Sequence, residues 1–269
     1  MLTRRNLLAA GAAVPVTAAT SGKMHLCMHQ TTSVAARFRG SLEGYARAGI
    51  RHVEVIPPLV EEFTRRESVA AARRLLSDLG LRAVSSGGVR GLAEPHAGRA
   101  QAVEDLKRTS SLVAELGIDR MVCPCGTAEK FTSDDYTRGV ENLREAGDIV
   151  KPLGITAMLE FMRGSTFIGT LPTALNMTRQ AAHPNVRPMF DCYHFWAGLS
   201  KFEDLDLIHD GEIHHVHFQD VPGIPRELLD NGTREIPGDG VSPLVGILRK
   251  LADRNYRGPL SVELFYPHL

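Results

Sequence analysis

Five glycines punctuate this chain at near-regular intervals: Gly49, Gly80, Gly117, Gly154 and Gly258. Each closes an amphipathic stretch and precedes a β-rich one, the stop expected where a helix feeds a strand. Strand candidates fall at 25–30, 51–57, 81–87, 118–124, 154–161, 186–192, 213–219 and 259–265. The clearest helical stretch between them runs from Glu67 to Leu79, with Val69, Leu75, Leu76 and Leu79 at helical spacing. Others span 97–116, 133–152, 171–182 and 242–255. The repeat is roughly 30–35 residues, one βα unit each, and no Pro/Ser-rich linker divides it. Strict alternation over eight strands predicts an α/β fold, a single (β/α)₈ TIM barrel, over two open sheets. The 269 residues fit one such barrel, which takes about 250. Because Leu269 follows the eighth strand directly, the eighth helix is expected to be lacking. Its groove is then left to the leader, a partner subunit or nothing.

Residues 1–23 read as an address and 24–269 as the barrel. Arg4-Arg5, an apolar run from Leu7 to Ala19 and small residues at 16–19 follow the order of an export signal, and the arginine pair is similar to a twin-arginine signal. A true start at Met24 and a short amphipathic helix are the other readings of the same residues. With a real signal the protein is periplasmic or secreted; without one it is cytoplasmic. Lys+Arg and Asp+Glu each number 31, so the net charge is zero and a nucleic-acid partner held by a basic face is not expected. No apolar run reaches the roughly 18–20 residues of a membrane span. A homo-oligomer stays open.

Period 2 sorts the polar residues of the later strands. Ile155, Ala157 and Leu159 share the helix-facing side, so Glu160 points inward. Asp191 shares a face with Met189. Val216 and Phe218 pack outward, leaving His215, His217 and Gln219 inside; Leu260, Val262 and Leu264 do the same for Glu263. Four consecutive strands thus bring Glu160, Asp191, His217 and Glu263 inward near their C-terminal ends, where barrel active sites sit. Three crowded carboxylates resist ionisation unless a cation neutralises them. Three oxygens and an imidazole suit one divalent ion, Mn²⁺, Co²⁺, Zn²⁺ or Mg²⁺, with Mn²⁺ as the working assignment. Glu54, inward on the second strand, reads as a substrate anchor or the partner of a deep cation. Trp196 and His29 are candidate pocket walls. Cys27, Cys123, Cys125 and Cys192 read as small buried residues, with no second pair to complete a zinc site around Cys123-Pro124-Cys125.

Five segments carry a resemblance: Leu159-Glu160-Phe161, Phe190-Asp191-Cys192-Tyr193-His194-Phe195, Val216-His217-Phe218-Gln219-Asp220, Arg234-Glu235-Ile236-Pro237-Gly238-Asp239-Gly240 and Ser261-Val262-Glu263-Leu264-Phe265. With the opening Met24-His25-Leu26-Cys27, they resemble the xylose-isomerase-like barrels of sugar isomerases, epimerases and dehydratases, and within these the inosose (2-keto-myo-inositol) isomerases. The likeness spans about residues 24–267. It implies that Glu160, Asp191, His217 and Glu263 hold the metal, that Glu160 and Glu263 flank the bound sugar as catalytic carboxylates, and that His194 and Arg234 contact substrate oxygens.

A small sugar or cyclitol is then the expected partner, a keto-inositol or ketose. The expected reaction moves a proton at the carbon next to the ketone through a metal-bound enediolate, the ion acting as Lewis acid. The main rival is a dehydratase of an inosose or dehydroshikimate-like ring, expelling a β-hydroxyl from the same enolate. An abasic-site nuclease needs further histidine ligands on early strands, which are not evident. A non-catalytic sugar-binding barrel is the rival outside enzymology.

Overall fold

The structure, a computed structural model, describes residues 23–266. Residues 1–22 of the leader expected over 1–23, and the last three residues, lie outside the described part.

The described chain carries its barrel in nine parallel strands. They are β1 (His25–His29), β2 (His52–Val55), β3 (Arg82–Gly87), β4 (Arg120–Cys125), β5 (Thr156–Phe161), β6 (Val186–Pro188), β7 (Phe190–Asp191), β8 (Val216–His217) and β9 (Pro259–Val262). The sheet order is β6-β5-β4-β3-β2-β1-β9-β8-β7. β6 and β7 are halves of one crossing, parted at Met189, and this break closes the ring. Met189 N–H donates to Leu159 O (3.0 Å), while Phe190 N–H turns to His215 O (3.0 Å). The expected strand 186–192 is therefore two short strands, each bonded to a different neighbour. The expected strand 213–219 shrinks to β8, although Phe218 N–H still reaches Ser261 O at 2.8 Å.

Eight helices surround or cover the ring: α1 (Arg37–Arg47), α2 (Pro57–Arg66), α3 (Val69–Asp78), α4 (Arg99–Glu115), α5 (Ser133–Val150), α6 (Leu171–Ala181), α7 (Cys192–Ala197) and α8 (Leu244–Asp253). Their starts are written in local chemistry. Ser68 caps α3 by accepting from Ala71 N–H, and Thr170 caps α6 by accepting from Thr173 N–H. At α5 the Thr132 N–H and hydroxyl both donate to Asp135, at 2.6 and 2.7 Å.

The glycine stops are real at four of five places. Gly49, Gly80, Gly117 and Gly154 have φ of 80, 64, 80 and 68°, open to glycine without a Cβ clash. After each, an apolar residue (Ile50, Leu81, Ile118, Ile155) donates its N–H back to the helix's last turn, the Schellman closure, before the next strand. Gly258 does something else. Asn255 (φ 60°) makes the left-handed turn after α8, and a Cβ on Gly258 would lie 2.6 Å from the Tyr256 hydroxyl. No helix follows β9 among the described residues.

Two apolar clusters lie between strands and helices; one holds Ile155 and Ala157, the other Leu159, Phe190 and Val216. Inside the barrel, Val122, Met158 and Met189 form a small separate plug. The period-2 sorting is thus carried out by packing: the outward residues are core, and their neighbours have only the barrel interior to face.

Candidate metal centre

Glu160 is the penultimate residue of β5, between Leu159 and Phe161, both packed outside the barrel, so its carboxylate can only turn inward. Asp191 ends β7 and caps α7: its Oδ1 accepts from His194 N–H at 2.6 Å, leaving Oδ2 for the interior. His217 ends β8, and Glu263 follows the last residue of β9. All four are buried, and one potential ligand atom from each lies within 4.8 Å of all the others. They meet at the Nδ1 of His217, which is 3.1 Å from Glu160 Oε1, 3.3 Å from Glu263 Oε2 and 3.5 Å from Asp191 Oδ2.

The opposite nitrogen of the same ring faces Glu54. His217 Nε2 lies 3.3 Å from Glu54 Oε1, and His215 Nε2 lies 2.7 Å from Glu54 Oε2. Glu54 has no exposed surface, so its carboxylate sits beneath the ligand cluster, engaged by two imidazoles. His29 stands edge-on to His217, its Nε2 3.7 Å from Glu54 and 3.8 Å from Glu263.

Arg234 is the residue whose position the sequence disguised. It lies in a polar loop, yet it is only 2% exposed and its guanidinium sits against the Tyr193 and Phe265 rings, 4.5 and 4.9 Å from their centroids. Nη1 donates to Glu263 Oε2 (2.5 Å) and Asp191 Oδ2 (3.2 Å), and Nη2 to Asn231 Oδ1 (3.3 Å). The loop is tied down by Asp220, whose carboxylate accepts the N–H groups of Val221, Gly238 and Ser242. Gly240 is required there, because a Cβ would fall 2.2 Å from Val221 O. His194 is 3% exposed; its Nδ1 accepts from Arg163 N–H, so a neutral ring keeps its proton on Nε2, near Arg234. Trp196 is set apart, packing with Tyr193, Ala197, Val221 and Leu229 under the Arg226 guanidinium.

Gln219 was visible as an inward residue without an assigned role. Its Nε2 donates to Asp191 Oδ2 at 2.9 Å, while its Oε1 is buried without a partner. Its shared parity with His217 was the signal that could have placed it in the site.

The electrostatics follow from this crowding. Burial by itself raises the Asp191 carboxyl, but Arg234, His194 and His217 outweigh it and hold the group well below the usual carboxylate range. Burial likewise opposes ionisation of Glu263, and Arg234, His217 and His29 reverse the sign. For His217 burial favours the neutral ring, yet Glu263, Glu54, Asp191 and Glu160 together raise it well above its ordinary value. Burial lowers His194 and keeps it neutral. It pushes all four cysteine thiols up, Cys123 to about 12, so the free cysteines are inert packing residues.

These residues fit a divalent metal. Without one, a single proton on His217 Nδ1 must face three buried carboxyl groups, of which Arg234 contacts two. An ion accepting the Nδ1 lone pair and one oxygen from each carboxylate satisfies all four groups at once.

The xylose isomerase-like TIM barrel family model matches residues 42–268. An inosose isomerase of Halalkalibacterium halodurans is 30% identical over 174 residues, 64% of this chain and 62% of that protein. A 3-dehydroshikimate dehydratase of Pseudomonas putida is 27% identical over 241 residues, 87% of this chain but 37% of its own length. The chain thus spans less than two thirds of either relative. Among solved structures, the IolI protein with a bound zinc atom superposes with a TM-score of 0.85 at 22% identity, covering 91% of this chain and 90% of that one, a likeness of fold.

Proposed function

The chain belongs to the xylose isomerase-like TIM barrel family, and on that premise we propose that it is a divalent-metal-dependent isomerase or epimerase of a small keto-cyclitol or ketose, moving a proton at the carbon beside the ketone. The observation that carries this reading is the convergence of Glu160, Asp191, His217 and Glu263 on one buried point, with one ligand atom of each within 4.8 Å of the others. It is supported by the inosose isomerase likeness.

Held by these four residues, a divalent ion supplies Lewis-acid stabilisation of negative charge on the oxygens beside the reacting carbon. Mn²⁺, Co²⁺, Zn²⁺ and Mg²⁺ all suit the donor set. The chain's own groups do the rest. One of Glu160 and Glu263 takes the proton from carbon, and the other returns a proton to the neighbouring carbon or to the opposite face. The neutral His194 donates its Nε2–H to a substrate oxygen. Arg234, braced by its two aromatic rings, keeps Asp191 and Glu263 ionised and offers its remaining N–H groups to hydroxyls. Burial of the whole cluster keeps bulk water from quenching the carbanion.

The second reading is a dehydratase, favoured by the dehydroshikimate dehydratase likeness over 87% of this chain. Both readings share the proton abstraction and differ in whether a β-hydroxyl leaves. NMR of the metal-loaded protein in D₂O with a panel of keto-inositols, ketoses and 3-dehydroshikimate tests them. Solvent deuterium beside the carbonyl with a rearranged polyol supports isomerase or epimerase; an unsaturated or aromatic product supports the dehydratase. No deuterium in any member of the panel, with the ion bound, would contradict both.

Export is proposed on the leader alone. A reporter fused to residues 1–23 should reach the periplasm through the twin-arginine route and lose it when Arg4 and Arg5 are changed to Lys.

A further inference from the structure

The three carboxyl groups facing His217 Nδ1 are matched by a fourth on the far side of the ring. Glu54 has no solvent exposure; it stands on β2 in register with His29 of β1, and His215 and His217 reach it across the barrel interior. Both of its oxygens lie 3.3 Å from His217 Nε2, and Oε2 is also 2.7 Å from His215 Nε2. His215 carries an N–H on Nε2, toward Glu54, because Nε2 lies beside the carboxylate while Nδ1 is buried with no partner to receive a hydrogen. His215 therefore donates to Glu54 and leaves the second carboxylate oxygen free to accept from His217.

An imidazole has two nitrogens, and only the one without a proton can bind a metal. A carboxylate that accepts the other N–H fixes both the tautomer and the ring orientation. We propose that Glu54 is the positioning residue of the metal centre: by accepting the Nε2–H of His217 it keeps the Nδ1 lone pair aimed at Glu160, Asp191 and Glu263, and it does not touch substrate. This rests on the metal reading above. His215 steadies Glu54 from below, and Ser85 Oγ, 3.3 Å from His215 Nε2, ends the chain of contacts. His29, Glu54 and His217 are also close enough to share a second ion, which would compete for the same carboxylate. The hydrogen bonds already account for the placement of Glu54, so one ion per chain is expected.

The test compares the wild-type protein with Glu54→Gln, nearly the same shape, and Glu54→Ala, each shown to be folded by circular dichroism. Zn²⁺ affinity is read by competition with a chromophoric chelator, and the ¹⁵N resonances of His217 in the Zn²⁺-loaded protein report its tautomer. The expected result is one equivalent of Zn²⁺ in the wild type with His217 bound through Nδ1. Affinity should fall about 10–100-fold in Glu54→Ala and less in Glu54→Gln. In both variants the Nε2 resonance of His217 in the Zn²⁺-loaded protein should shift, because its N–H loses the Glu54 carboxylate. A folded Glu54→Gln and Glu54→Ala with wild-type affinity and an unchanged His217 spectrum would overturn the proposal. So would two equivalents of Zn²⁺ in the wild type falling to one in the variants. A wild-type protein that takes up no Zn²⁺, Mn²⁺ or Co²⁺ would instead overturn the metal reading itself.

Discussion

The two ends of this barrel are built from the same inward parity and carry opposite charge. At the strand starts stand His25, His52, Arg82, Arg120 and Arg187; at or just past the strand ends stand Glu54, Glu160, Asp191, His217 and Glu263. His52 and Arg82 are paired in register, Arg120 pairs with Thr156, and Arg187 precedes Asp191 by an even step. What separates the ends is water. Every one of the floor residues is at least partly exposed, whereas the five at the mouth are all buried. At the floor, like charges are screened by solvent, and Asp119 pairs with Arg120 at 2.9 Å. At the mouth no such screening exists; Arg234 and His217 partner the carboxylates, and the proposed ion would complete their neutralisation. Burial, more than residue type, turns a charged cluster into a site.

The comparison breaks most easily at the mouth. Glu160→Gln or Glu263→Gln should lower turnover by at least about 10²–10⁴-fold without unfolding the chain, read by deuterium incorporation on an accepted ketone. Wild-type-like turnover by both would dissolve the catalytic pairing. Arg234→Gln should destabilise the metal-free protein by about 3–5 kcal/mol in urea unfolding, because Asp191 and Glu263 lose their buried partner. Loading the ion should recover part of that loss.

Beside the floor arginines lies half-buried His214, held down to about 4 by burial first, then by Arg187 and Arg120. Its folded value lies below the unfolded one near 6.5, so the unfolded chain binds more protons between them. Stability should therefore fall as pH drops from about 6.5 to 4, and His214→Gln should flatten that part of the profile. The smallest effect belongs to the floor itself. Exposed Arg82→Gln should change stability by no more than about 0.5 kcal/mol and leave metal affinity unchanged. A loss of metal binding in that variant would show that the two ends are coupled.

The parity of Glu160, Asp191, His217 and Glu263 was legible because their outward neighbours are apolar and sequence alone sorts them. The barrel was legible for a similar reason, since four of the five Gly stops sit where a helix must reverse. Less visible was whatever depends on distant chain. Helix α2 was not anticipated and α1 only through its stop at Gly49, and the break at Met189 follows from ring closure, where one strand must switch hydrogen-bonding partners. Arg234 is polar and loop-borne; only Tyr193 and Phe265, far from it in sequence, bury it. Glu54 was seen to point inward, but its engagement by His215 and His217 spans more than 160 residues of chain.

The buried mouth is proposed to require a divalent cation. Calorimetric titration of Mn²⁺ or Zn²⁺ into chelator-treated protein tests it, with Asp191→Asn and His217→Asn alongside. One equivalent should bind to the wild type and raise its melting temperature, by about 2.7 kcal/mol of stability at a hundredfold excess over Kd, and binding should be lost in both variants. No heat and no thermal shift in the wild type, or binding that survives both substitutions, would contradict it.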